Sequence, residues 1–147
     1  MSRYRDQRGT AIVEFVWLAI LLLVPLLYIV VAVFETQRAA YAASAAARSA
    51  SRAFVTSPDQ ETGRIRAEAA ASLAFRDQGI DAQDFELRLT CRPEPTACLS
   101  PGSVVMAEIH SAVALPLVPA ALGGNTPSIG VDAVHQSPYG QFREARP

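Results

Sequence analysis

The chain has 147 residues, half of them apolar, and 13 basic residues, all arginine, against 14 carboxylates for a net charge of −1. That leaves room for one small domain beyond any apolar anchor. It offers no basic stripe for nucleic acid, so no nucleic-acid partner is expected.

Residues 1–9 form a basic leader in which Arg3, Arg5 and Arg8 outnumber Asp6. From Phe15 to Phe34 no residue is charged, and at about 1.5 Å per helical residue this run matches a hydrocarbon core of about 30 Å. A transmembrane helix is therefore expected over 10–34. No second run competes, because "VVMAEIHSAVALPLVPAAL" is interrupted by Glu108, His110, Pro116 and Pro119. Close to the membrane the leader carries the greater positive charge, which places the N-terminus in the cytoplasm and the C-terminal part outside the cytoplasmic membrane, as a single-pass protein. A cleaved signal peptide is the alternative, with "ASA" at 43–45 as its site. Its apolar region would be too long, and Glu35 and Arg38 intervene.

A helical stem over 35–56 follows, because "ETQRAAYAASAAARSASRAF" holds no Gly or Pro and is dominated by Ala, the strongest helix former. Arg38, Arg48 and Arg52 fall within about 80° of one another at the helical repeat. The remaining Ala and Ser surface can approach other helices closely or pack on the chain's own domain. A second helix is expected over Pro58–Gln78, with Ser57 as its cap, Pro58 at its first position and Asp59 and Glu61 in its first turn. Gly79 suits a left-handed C′ position, with Ile80 closing onto Phe75. Ile65, Ala69, Ser72 and Leu73 share one face of this helix, and Gly63 inside it costs about 1 kcal/mol relative to Ala.

The pattern then turns to period two. "DFELRLTC" alternates Phe85, Leu87 and Leu89 with polar residues, and "SVVMAEIHSAVAL" sets Val105, Ala107, Ile109, Val113 and Leu115 opposite Glu108 and His110. "PSIGVDAVHQ" gives a third strand after a loop marked by Pro116, Pro119, Gly123, Gly124 and Pro127. The expected fold class is α+β: a long N-terminal transmembrane helix with its stem, a second helix and a small antiparallel sheet of about three strands. The external domain covers 57–137, and 138–147 reads as a loose tail.

Catalytic signatures are lacking. His110 and His135 have no GxSxG elbow, HExxH motif or phosphate-cradling glycine loop around them, so both read as exposed or rim histidines. Neither an enzyme nor a cofactor is expected. Cys91 and Cys98 leave three readings: a disulfide across "CRPEPTAC", two free thiols, or part of a zinc site with the histidines. The spacing is unlike compact zinc knuckles. An external compartment favours the disulfide.

One acid, Glu14, stands at the lip of the apolar run, five residues after Gly9. A short basic leader ending in Gly, followed by "RGTAIVEF", resembles the processing and assembly signal of type IV pilins. With its Ala-rich stem and small external domain, the chain is similar to TadE-like pilus assembly proteins and minor pilins of the Tad (tight adherence, Flp-type) family. The resemblance covers Arg8 to about Phe54 in detail and the rest only in layout. It implies leader cleavage between Gly9 and Thr10, and assembly through Glu14 and Phe15. The implied partners are a prepilin peptidase, inner-membrane platform proteins, the major pilin or other minor pilins, and membrane lipid. Two rivals remain: an envelope protein anchored by one span, whose external domain binds a ligand or partner without entering a filament, and a membrane-tethered hydrolase. For Glu14 the plainer reading is a carboxylate that reaches the headgroups or pairs with Arg8.

Overall fold

The computed structural model describes residues 8–80, 85–114 and 128–147 of the chain. The leader before Arg8 and the proline- and glycine-marked loop at 116–127 lie outside these residues, as do the side chains of Val113 and Leu115. The chain is α+β: α1 (Arg8–Val55), α2 (Gln60–Asp77), β1 (Phe85–Arg92), β2 (Val104–Ala114) and β3 (Ser128–Pro138). The strands form one antiparallel sheet in the order β1-β2-β3.

Apolar run and stem are a single helix of 48 residues that continues through Pro25. From Ala39 onward its alanines at 39, 42, 43, 46, 47 and 50 are all at most 1% exposed. The spacing of three and four residues makes them one stripe, and the stripe packs against α2, β2 and β3. The alanine surface of the stem is thus the centre of the chain's own core. Val105, Ala107 and Ile109 of β2 and Val131 of β3 face it, and Ala67, Ala71 and Phe75 join from α2. Both helices cover the same face of the sheet. The strand alternation read from the sequence holds at these positions, with Glu108 and His110 pointing the other way.

Helix α2 differs from expectation in its start, and the face it buries is not the one that holds Ile65 and Leu73. Ser57 does not cap it. The Ser57 hydroxyl donates to the Ala53 carbonyl at 2.8 Å and is fully buried at the end of α1. The cap is Asp59, whose carboxylate accepts from the Thr62 N–H at 2.7 Å and from the Thr62 hydroxyl at 2.8 Å. These bonds hold the Asp59 carboxyl below the usual carboxylate range. Asx geometry at residue 59 leaves Pro58 one step outside the helix.

The buried face is Gly63, Ala67, Ala71, Ala74 and Phe75, while Ile65 and Leu73 stay 63% and 59% exposed. Small residues win because α2 lies close against α1: a Cβ added at Gly63 would meet Phe54 Cδ2 at 3.0 Å. At its other end the closure is as expected. Gly79 has φ of 67°, its N–H donates to the Arg76 carbonyl, and the Ile80 N–H donates to the Phe75 carbonyl. This is the Schellman pattern. Phe75 in turn stacks on Phe85, with ring centroids 5.0 Å apart, and so ties α2 to β1.

The tail is docked, contrary to the expected loose end. Tyr139 is buried, its N–H donates to the Ser103 carbonyl, and its hydroxyl donates to the Glu144 carbonyl at 2.7 Å. Arg143 donates to the Val55 carbonyl at 2.8 Å, and Arg146 to the Ser57 carbonyl at 2.8 Å. A helix leaves its last four carbonyls without intrahelical donors. In α1, Arg52, Ala53, Phe54 and Val55 all find partners among Thr56, Ser57 and Arg143. Two guanidiniums at a helix C-terminus also complement its macrodipole.

Candidate functional site

Arg8, Gly9 and Thr10 are the first residues of α1; their side chains lie outside the described residues. Thr10 and Glu14 stand four positions apart, hence one turn apart along the same side of the helix. Glu14 and Phe15 are both exposed, Phe15 at 72%. Adjacent helical positions point about 100° apart, so the acid and the aromatic address different neighbours.

The surroundings of Glu14 give it weight. Every residue from Ala11 to Leu27 is exposed, and the most apolar window of this helix has no share buried in the fold. Fully burying a large apolar side chain is worth about 1.5–3 kcal/mol, and a continuous exposed apolar surface of this extent marks a membrane or protein contact. The helix is long and apolar enough to cross a membrane. Glu14 is the one charged residue between Ala11 and Phe34, and among the described residues it has no ion-pair partner. The next acid, Glu35, is paired with Arg38 at 2.8 Å.

Beside the sheet, Cys91 and Cys98 form a disulfide with a Cα–Cα distance of 5.2 Å. That excludes the free-thiol and zinc readings for this pair in the structure. The bridge ties the end of β1 to the connection that leads into β2, and the Ser103 hydroxyl donates to the Cys98 carbonyl within the same corner. His110 is not isolated: its Nδ1 lies 2.8 Å from Asp132 on the uncovered face of the sheet, with both side chains about half exposed or more. Among the described residues no group of three His, Cys, Asp or Glu is placed to hold a metal ion.

One open cleft of about 390 Å³ lies between α2 and β1, lined by Arg64, Glu68, Arg88 and the edges of Phe85, Leu87 and Leu89. Among the described residues it combines two guanidiniums with one carboxylate and contains no serine, cysteine or histidine that could act as a nucleophile or base. Sequence reasoning missed this cleft because residues 64 and 68 belong to a helix and 85–89 to a strand, with no spacing rule between them. It missed the tail arginines for the same reason.

Comparison with protein-family models, with curated proteins and with solved structures finds no match.

Proposed function

We propose that the chain is a non-enzymatic, minor pilin-like subunit, anchored in the bacterial cytoplasmic membrane by α1 and used in assembly of a Tad-type pilus. The observation that carries the reading is Glu14: the single charge in the exposed apolar run from Ala11 to Phe34, one turn from Thr10 and five residues after Gly9. A carboxylate in that setting is costly unless it acquires a partner. Cleavage after Gly9 would create an α-ammonium on Thr10 at the edge of lipid. The Glu14 carboxylate of a neighbouring copy or of the major pilin would then neutralise it as the helices align. Because the pair forms at one relative height of two helices, it sets their register.

In this reading the N-terminus is cytoplasmic and the α+β domain is extracytoplasmic. A prepilin peptidase removes the leader, and inner-membrane platform proteins handle the processed helix. Gly9 offers the peptidase a backbone without a side chain, so Gly9→Val leaves the leader attached. Glu14→Ala acts later: the variant is processed, stays in the membrane and fails to enter filaments. Terminal sequencing of the chain purified from a peptidase-competent host reads the first step. A start at Thr10 supports the proposal, and a start at Met1 or Ser2 overturns it. A cysteine placed at exposed Glu61 and reacting with an impermeant maleimide on intact cells supports the orientation; reaction only after lysis rejects it.

A second reading has one observation in its favour. The Arg64–Arg88 cleft suits an acidic ligand or partner, as an anchored envelope protein that never enters a filament would require.

A further inference from the structure

Hydrogen bonding and strand geometry set the height of the sheet along α1. The Ser137 hydroxyl donates to the Ser51 hydroxyl at 2.9 Å, and β3 runs beside α1 in the same direction. Ile129 lies eight residues before Ser137, about 26 Å back along the strand at about 3.3 Å per residue. Along a helix rising 1.5 Å per residue, this corresponds to a point near Val33. Contacts agree, since Ile129 closes an apolar cleft of about 290 Å³ with Tyr28, Ala32 and Val33. The start of β3 therefore stands level with the last turn of the apolar run, not clear of it.

At that height the described residues around α1 and at the end of the sheet are apolar or uncharged. On α1 at this level, Ile29, Val33 and Phe34 remain 57%, 48% and 65% exposed. On the sheet side, Ala112, Ser128 and Gly130 are exposed, and Ile129 is 39% exposed. No charged residue occurs between His110 and Asp132. Moving up from this rim among the described residues, Glu35 is paired with Arg38 on α1; at the level of His110 the sheet carries Asp132, which lies against the His110 Nδ1, and Glu86, which stands opposite His110 in the strand register and 3.6 Å from Arg88. Tyr28 stands at the same level, where an aromatic with a polar tip suits a headgroup boundary.

We propose that this rim, where β2 ends and β3 begins, is immersed in the headgroup and upper acyl region of the bilayer, giving the domain a second lipid contact beside α1. The inference rests on the anchoring role of α1. Its ligand is the phospholipid interface as such. The rim carries no basic residue among Ala112, Ser128, Ile129 and Gly130, so the contact is apolar and does not require anionic lipid.

The chain's two cysteines are joined in the disulfide, so a single introduced cysteine can carry a bimane label uniquely. Gly130→Cys is suitable because a Cβ there meets nothing within 4 Å, and Ser128→Cys serves as an independent second site. Leu22→Cys reports on the anchor and Glu61→Cys on the far end of the domain. The full chain is reconstituted in zwitterionic phosphatidylcholine vesicles, with nitroxide-bearing lipids or aqueous iodide as quenchers. Expected are a blue shift at positions 128 and 130, quenching by shallow nitroxides and loss of iodide quenching, while position 61 remains iodide-accessible and position 22 is quenched by deep nitroxides. If position 22 is lipid-quenched but 128 and 130 match position 61, the rim contact is overturned and the anchor stands. If position 22 escapes lipid quenching, the anchoring reading fails and the inference with it.

Discussion

Replacing Gly63 with alanine separates two opposed effects whose sizes follow from the structure. On a solvent-facing helical surface Gly→Ala gains about 1 kcal/mol. Here the new Cβ would lie 3.0 Å from Phe54 Cδ2 and 3.2 Å from Cε2, against about 3.5–4.0 Å for an unstrained carbon contact. Phe54 is 1% exposed, so its ring cannot swing into solvent. Overpacking of a filled core costs about 1–3 kcal/mol. The net expectation is a destabilisation of about 1 kcal/mol, or about 4 °C in Tm for a protein of this size. The assay is thermal unfolding of the detergent-solubilised full chain with its disulfide intact, followed by near-ultraviolet circular dichroism. The same substitution in a Phe54→Leu background should be neutral or stabilising, because the ring atoms in conflict are gone. A rise in Tm for Gly63→Ala in the wild-type background would refute the close approach of α2 to α1 at this point.

Three other outcomes are expected. In α2, Ala67→Leu should destabilise by about 1–3 kcal/mol through overpacking, whereas Ile65→Ala should stay within about 0.5 kcal/mol as an exposed substitution; equilibrium urea unfolding checks both. The depressed pKa of the Asp59 carboxyl means that its capping contribution is present above the unfolded value, near 3.8, and is lost as pH falls through the lower folded value. Asp59→Asn should therefore flatten the acid limb of a Tm–pH profile; an unchanged acid limb would remove Asp59 from the account. Cys91→Ser/Cys98→Ser should lower stability by about 2 kcal/mol, as a short closed loop implies, with the double variant and wild type compared in the same denaturant series.

Where local chemistry decides conformation, the chain could be read directly. The end of α2 needed only a glycine able to take a positive φ and an apolar residue after it, and Gly79–Ile80 supplies both. The strands showed through alternation at Phe85–Leu89 and Val105–Ile109. The inner face of α2 did not, because hydropathy ranks Ile65 and Leu73 above Gly63 and Ala67, while the closeness of α1 selects for small volume. Proximity of that kind is a tertiary fact with no signature in the helix itself. The tail was missed on similar grounds: Arg143 and Arg146 read as solvated charges until the carbonyls at the end of α1 are placed beside them. For the proposed site, Gly9, Thr10, Glu14 and Phe15 were named through a resemblance carried by "RGTAIVEF", and the structure adds that all four lie on one helix. The Arg64–Arg88 cleft was not legible, because it is made by two elements meeting.

The absence of any break in α1 between Ala11 and Val55 gives the molecule a mechanical character. A domain joined to its anchor by a flexible tether can lag, tilt or be cut free, but here the last five turns of the same rod are the domain's own core, with β3 lying lengthwise along them. A pull along the rod loads that seam in shear, so the alanine stripe from Ala39 to Ala50 and the carbonyl clamp of Arg143 resist together instead of peeling one after another. Force applied to the apolar end of the rod thus arrives at the domain without slack, and a twist of the rod becomes a rotation of the sheet. Cutting the rod between Ala39 and Phe54 would release no folded fragment, since neither piece would retain a complete interior.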